Sequence, residues 1–388
     1  MSCPSSVARV ISAIGAAVLG EFCLQVTAAV PADSLDAEIA ALLAAQPRWS
    51  LSASLDANYG YRDNLLLSAS AEERSPFVRG VAEFVALRFP TGPLEYMFFV
   101  QGEGTRYLEG VSVKDQSRAW AQTEFGYTFG DALRIGLPIT GYYHHEVFDV
   151  SDTDVERTIA ELKVKGAMVG PAVRWRFLPS WWVEAQATGE RKRYEDGVND
   201  GTVGEGAMRL GWIHSERLEV RLIGIQRWRN FDERARYNSA GRELAGTELK
   251  ISERELQTRF DVAWDADKRW QTTTRLSLLD YRDNGSGYFS YRERRADHEI
   301  EWKRGAWLVR AGAAASRIDF DVQTVGLGIE PPARLKDEFS AELHLERKLS
   351  ERWTVLAHYT WERSRSNDPL ASYRVNEGLL GLRWGWEK

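Results

Sequence analysis

From residue 256 to 264 apolar and polar side chains alternate. Leu256, Thr258, Phe260, Val262 and Trp264 hold one parity; Gln257, Arg259, Asp261 and Ala263 hold the other. A polar turn follows at 265–269, and the alternation resumes with Trp270, Thr272, Thr274, Leu276 and Leu278 against Gln271, Thr273, Arg275 and Ser277. Successive side chains of a strand point to opposite faces, so this stretch is a hairpin with one apolar and one polar face. Each arm is about ten residues long, enough for a tilted strand to cross a bilayer. A tryptophan stands on either side of the turn, where an interfacial aromatic girdle would lie.

The same unit recurs along the chain. Strand one covers 49–61, with Trp49, Leu51, Ala53, Leu55 and Tyr59 opposed by Ser50, Ser52, Ser54, Asp56 and Asn58. Strand two, 77–89, is apolar on both faces, and its register is open. Strands three to five put Leu94, Tyr96, Phe98 and Val100, then Ala121, Phe125, Tyr127 and Phe129, then Leu133, Ile135, Leu137, Ile139 and Tyr143 on the apolar side. Strand six runs around 163–177, and strands seven to nine carry Trp181 and Val183, Met208, Leu210 and Trp212, then Leu218, Val220, Leu222 and Trp228. After the opening hairpin come strands twelve to sixteen, with Ile300 and Trp302, Trp307 and Val309, Phe339 and Leu343, Trp353 and Val355, and Leu380, Leu382, Trp384 and Trp386 facing out. This makes about sixteen strands joined alternately by short turns and longer loops, the asymmetry of an outer-membrane barrel. The expected fold is therefore all-β: a transmembrane antiparallel up-and-down barrel over 48–388. A propeller has a similar repeat length of about 40–50 residues, but it fits four short strands into each repeat. Pro138 and Pro171 each remove a ladder donor, and a closed barrel has no edge to put them on, so bulges are expected there.

Composition agrees. No window approaches the roughly 18 apolar residues of a membrane helix. Mean hydropathy is negative, as it is for a membrane barrel, whose lumen-facing half is polar. Most of the 15 tryptophans lie near a short turn or a chain end, which a soluble fold does not require. Arg9, the apolar run 10–19 and Val26-Thr27-Ala28 read as an export signal over residues 1–28, interrupted by Glu21. Cys3 and Cys23 fall inside it, so the mature chain is expected to lack disulfides and thiol chemistry. Gly20-Glu21-Phe22 before Cys23 does not look like a lipoprotein signal. The net charge of −6 is unchanged when Arg9 and Glu21 go, and it argues against a nucleic-acid partner. Residues 29–47 hold a short N-terminal helix, 33–46, capped by Asp33 or Ser34 and ended by Pro47. It is either a periplasmic lead-in or a plug.

Two stretches carry a resemblance. Tyr59-Gly60-Tyr61-Arg62-Asp63-Asn64 closes the first strand; Ser366-Asn367-Asp368-Pro369 with Tyr373, Asn376 and Gly381-Leu382-Arg383-Trp384 precedes and forms the last. With them the chain resembles bacterial outer-membrane β-barrels, namely porins linked to exopolysaccharide loci and, less closely, the barrel of surface lipoprotein assembly modifiers. The resemblance implies a bacterial outer-membrane location and a role in transport. The assembly modifiers also carry an N-terminal helical-repeat domain, for which this sequence has no room. Trp386 is followed by Glu387-Lys388, a departure from the usual terminal aromatic residue.

Parity selects the lumen-facing charges. Arg134, Arg174, Arg176, Arg209, Arg221, Arg227, Arg259 and Arg275 are expected inward on strands five to eleven. Glu95, Glu103, Glu124, Glu299, Glu301, Glu342, Glu346, Glu362 and Glu377 are expected inward on the others. Glu184, Glu205, Glu219 and Glu255 fall on the arginine side, and Arg310 and Arg383 on the acidic side. An arginine-leaning wall facing a glutamate-leaning wall would set a transverse field across a watery pore. The plainer alternative is that these charges pair and merely solvate the lumen.

The other clusters are weaker. His144, His145, Glu146, Asp149, Asp152 and Asp154 lack the central glycine of a calcium loop, so no metal site is assigned. His344 and His358 share the inward face with Glu342, Glu346 and Glu362, the one arrangement that an enzyme barrel could use. His214-Ser215 lies in a turn, and no cofactor motif is present. The reading is a non-enzymatic outer-membrane channel for passive diffusion of small polar or anionic solutes, saccharides among them. The alternatives are a plugged structural or secretion-associated barrel with a periplasmic partner, and a lipid- or peptide-hydrolysing barrel. Outer-membrane lipid and lipopolysaccharide, small polar solutes, further copies of the chain and a periplasmic protein are the partner classes considered.

Overall fold

The computed structural model describes residues 48–388, apart from 71, 90, 91, 150–158 and 327. The export signal and the helix expected over 33–46 lie outside the described residues. Sixteen antiparallel strands form the wall: β1 (Trp49–Arg62), β2 (Ser75–Arg88), β3 (Leu94–Tyr107), β4 (Asp115–Phe129), β5 (Leu133–Asp149), β6 in two segments (Ile159–Val169 and Ala172–Leu178), β7 (Trp181–Tyr194), β8 (Gly201–Ser215), β9 (Leu218–Phe231), β10 (Lys250–Ala263), β11 (Trp270–Asp283), β12 (Tyr291–Arg304), β13 (Trp307–Thr324), β14 (Ala333–Lys348), β15 (Trp353–Ser366) and β16 (Tyr373–Glu387). Each strand pairs with its neighbours in sequence, and β1 also pairs with β16. The ring is closed and leaves no edge strand. Short connections at 130–132, 179–180, 216–217 and 305–306 alternate with long ones such as 63–74 and 232–249.

Burial is inverted relative to a water-soluble protein. Leu278 is 57 % exposed, whereas Thr140 on an inward position is 2 % exposed. Apolar side chains cover the outside and polar ones the inside, the arrangement a bilayer stabilises and water does not. At the short-turn end the outward face carries an aromatic belt. Trp270 and Trp302 are register partners with ring centroids 5.9 Å apart, as are Trp181 and Trp212. Trp49 meets Tyr96 at 5.7 Å, and the Arg347 guanidinium lies 5.1 Å from the Trp307 ring. Such a belt fixes one membrane–water interface.

The closing seam joins the two stretches that carry the resemblance. Asp63 accepts hydrogen bonds from the Asn376 backbone N–H at 2.7 Å and from its Nδ2 at 2.5 Å. Arg383 pairs with Asp56 across the β1/β16 ladder at 2.9 Å. Gly381 is required beside them: a Cβ there would sit 1.8 Å from the Asn58 Oδ1.

The prolines do not make bulges. The β5–β6 register is the same on both sides of Pro138, with Ile139 opposite Val169 and Gly136 opposite Ala172. The β6–β7 register likewise passes Pro171 unbroken. Each proline loses only its own donor. Its carbonyl still accepts, from the Gly170 N–H to Pro138 and from the Ala187 N–H to Pro171, both at 3.0 Å. The shifts that do occur lie elsewhere, between Arg176 and Leu178, between Leu218 and Glu219 and between Asp319 and Thr324. For β2, pairing of Asn58 with Arg79 turns Phe77, Arg79, Val81, Glu83 and Val85 inward.

Candidate functional site

The register fixes which charges face inward. Following the ladders from buried Asn58 puts Arg134, Arg174, Arg209, Arg221, Arg259 and Arg275 on the inner face, together with Glu95, Glu103, Glu124, Glu299, Glu301, Glu342 and Glu346. Arg176, Arg227, Glu362 and Glu377 lie there too.

The two walls expected from the sequence are neutralised along the wall itself. Arg134 bonds Glu95 and Glu124, both at 2.8 Å. Glu184 holds Arg209 at 2.6 Å and Arg174 at 3.0 Å. Arg227 joins Glu205 at 2.6 Å to Glu253 at 2.5 Å. Arg310 lies between Glu299 at 3.3 Å and Glu301 at 2.6 Å, and Arg79 reaches Glu103 at 3.6 Å. Neighbouring strands bring opposite charges within reach, so most of the transverse field is cancelled locally.

One row departs from this balance. Arg221, Arg259 and Arg275 stand directly opposite one another on β9, β10 and β11, with Asp297 next on β12. Like charges in direct cross-strand contact destabilise a sheet unless compensated. Arg221 is compensated by Glu219 at 2.7 Å and Asp261 at 3.4 Å. Arg259 grips Asp261 with its Nε and Nη2, each at 2.9 Å. Asp297 is occupied by Arg295, whose Nε donates at 2.8 Å. Arg275 makes no ion pair within 4 Å among the described residues, although Asp297 stands opposite it and Glu255 is near, and its Nε is buried without a hydrogen bond. A guanidinium presents a planar fork of donors that matches a carboxylate. The inner face thus holds a guanidinium that no side-chain carboxylate contacts directly.

Next to this row the wall is aromatic. Trp182 faces inward on β7, opposite Gly211 on β8. Its ring lies flat across the wall, because a Cβ at Gly211 would come within 2.1 Å of it. The indole N–H donates to Glu219 at 3.1 Å, and the Arg174 guanidinium stacks 4.0 Å from the ring centroid. Parity alone places Trp182 inward, since Trp181 faces outward on the same strand.

The opposite part of the inner surface is covered by a loop. Loop 63–74 follows β1 and turns inward, where Leu65 and Leu66 are fully buried. They join inward Phe77, Tyr107, Leu356 and Leu379 and loop residue Val113 in one apolar cluster. Asn64 locks the loop: its Nδ2 donates to the Ser68 carbonyl at 2.8 Å and the Arg374 carbonyl at 3.1 Å, and its Oδ1 accepts from the Ser68 N–H at 3.1 Å. Leu67 sits at φ 52°, a left-handed conformation that L-residues with a side chain adopt only under constraint.

The other candidates resolve differently. His344 and His358 are brought together, ring centroids 5.6 Å apart. Glu346 binds His344 at 2.7 Å and Arg383 at 2.8 Å, so the acidic group beside the pair is engaged in a charge network. Alternation separates His144 from His145. His144 contacts Glu146 at 2.9 Å on the inward side, and His145 contacts Glu161 at 2.7 Å. Asp152 and Asp154 lie outside the described residues.

No family model matches the sequence, and no curated protein is significantly similar to it. Among solved structures the chain is similar in outline to OccAB1 of Acinetobacter baumannii, with 9 % identity and a TM-score of 0.49 over 87 % of this chain and 96 % of that one. It is similar to OprD of Pseudomonas aeruginosa, with 10 % identity and a TM-score of 0.43 over 87 % and 95 %. OpdK of Pseudomonas aeruginosa, solved with vanillate, gives 8 % identity and a TM-score of 0.43 over 88 % and 99 %. These are likenesses of outline alone. Closure of the sheet, the inverted burial and the aromatic belt carry the assignment: the chain is a sixteen-stranded β-barrel of the bacterial outer membrane.

Proposed function

We propose that the barrel is a non-enzymatic channel for passive diffusion of small polar solutes, with carboxylate-bearing anions the favoured class. The observation that carries this is Arg275, unpaired at the end of the Arg221–Arg259 row. The paired charges of the inner face, Arg134, Arg174 and Arg209 with Glu95, Glu124 and Glu184, keep the path wet and near neutral. Liposome swelling with gluconate, glucose and glucosamine, matched in size, tests the reading. It predicts entry in that order, fastest first. No swelling with any of them, or glucosamine fastest, would refute it.

A second reading has its own observation. The apolar cluster around Leu65 and Leu66 fills the inner face along β1–β3 and β15–β16. A plugged barrel that works with a periplasmic partner fits that cluster. It predicts an intact barrel that admits no solute and co-purifies with another protein.

A further inference from the structure

Toward the long loops, the lipid-facing surface of β12–β16 changes abruptly from apolar to basic. Arg292, Arg294, Arg317, Arg363, Arg365 and Arg374 all occupy outward positions and are all exposed. The register groups them on two strand pairs, with Asp337 and Phe339 of β14 between: Arg294 faces Arg317 across β12–β13, and Arg363 faces Arg374 across β15–β16. Two such like-charge pairs would each destabilise the wall in the absence of counter-ions. The compensation within the chain is thin. Asp319 is shared by Arg294 at 3.3 Å and Arg317 at 3.5 Å, and Arg292 reaches Asp280 only at 3.7 Å. Arg363 and Arg365 make no ion pair within 4 Å among the described residues, although Asp337 stands opposite both Arg317 and Arg365, one acid between two arginines. The Arg294 side chain is 69 % exposed. The belt also runs against the chain's overall charge of −6.

A second feature lies directly below it. On β12–β14 the outward face under the belt carries a stripe of small residues, with Ala296 opposite Ala315 and Ala313 opposite Ala341, bordered by His298, Phe339 and Trp361. Elsewhere at that depth the wall carries larger residues such as Leu256, Leu276 and Leu278. A smooth stripe under a row of guanidiniums matches a molecule that is anionic at the interface and has several saturated chains beneath.

We propose that this face binds a phosphorylated glycolipid of the outer leaflet, with phosphates on the arginine belt and acyl chains along the alanine stripe. Guanidiniums bind phosphate oxygens in the same forked geometry as carboxylates, and the interface lowers the competing water. The site is independent of whether the lumen conducts.

The test uses the full barrel refolded in zwitterionic detergent and titrated with lipopolysaccharide or with the same glycolipid after enzymatic dephosphorylation. Native mass spectrometry counts the bound molecules. The parent is expected to bind the phosphorylated form at least about tenfold more tightly. Arg294→Gln, Arg317→Gln and Arg365→Gln combined should remove that preference while the heat-modifiable gel mobility of the folded barrel is kept. Lys165→Gln with Arg193→Gln, on the opposite side, should retain it. Equal binding of the two glycolipid forms by the parent overturns the proposal without any variant. So does equal loss in the control variant. A triple variant that changes only the number of associated barrel copies would also overturn it, and would assign the face to contact between copies.

Discussion

Replacing Arg275 with glutamine removes a guanidinium that no carboxylate of the wall contacts directly. Within the row, Arg221, Arg259 and Arg275 are set against Glu219 and Asp261, so Arg275 leaves one net positive charge. A monovalent anion in contact with it, about 4 Å away, gains about 1 kcal/mol at the dielectric of water and about 4 kcal/mol at an effective value of about 20. The neighbouring Arg221 side chain keeps 27 % of its exposure, which places the row nearer the wet limit. A loss of about 1–2 kcal/mol follows, or about 5- to 30-fold in the residence of an anion at that level. The assay is the reversal potential in a planar bilayer under a salt gradient, repeated with gluconate as the anion. Arg275→Gln should shift selectivity toward cations, and Arg275→Glu should shift it further. Both shifts should shrink at 1 M salt, where the screening length falls to about 3 Å. Unchanged selectivity at low salt in Arg275→Glu would remove this residue from the path and refute the reasoning.

Three further outcomes follow from the same geometry. Gly211→Val drives a side chain into the Trp182 ring and should destabilise the barrel by about 1–3 kcal/mol, read as a lower unfolding midpoint and altered tryptophan fluorescence. Asp63→Ala removes both acceptors of the Asn376 seam and should cost about 1.5–3 kcal/mol, read in the temperature at which the folded band is lost on a gel, whereas Tyr61→Phe at the neighbouring outward position should not. Leu66→Asp places a charge in the apolar cluster, so loop 63–74 should leave the inner face and single-channel conductance should rise; an unchanged conductance would show that the loop does not narrow the path.

The alternation was legible wherever one face of a strand meets lipid and the other meets polar neighbours, as in β10 and β11. It failed in β2 for a physical reason. Phe77 joins the buried cluster of loop 63–74, and Val85 faces Phe99 across β2–β3, so apolar residues occupy the inward parity as well. At the two prolines a missing donor does not break the ladder. Keeping the acceptor was enough to carry the register through Pro138 and Pro171. The ion pairs were present in the sequence as opposite charges two residues apart on one face: Glu219 and Arg221, Arg259 and Asp261, Arg295 and Asp297. That spacing predicts local neutralisation, and it qualifies the picture of two opposed walls. The inward loop left one clue, the run Leu65-Leu66-Leu67 in a segment that otherwise reads as polar. What it packs against depended on closure of β1 on β16, which no local pattern contains.

The central claim is that solute passes through the barrel. Its most direct test is single-channel recording of the refolded parent protein in a planar bilayer. The account predicts steady, discrete conductance steps with a linear current–voltage relation near zero and a reversal potential that favours anions at low salt. Correctly folded protein that inserts and gives no steps would contradict it, and would leave the stoppered barrel as the standing explanation.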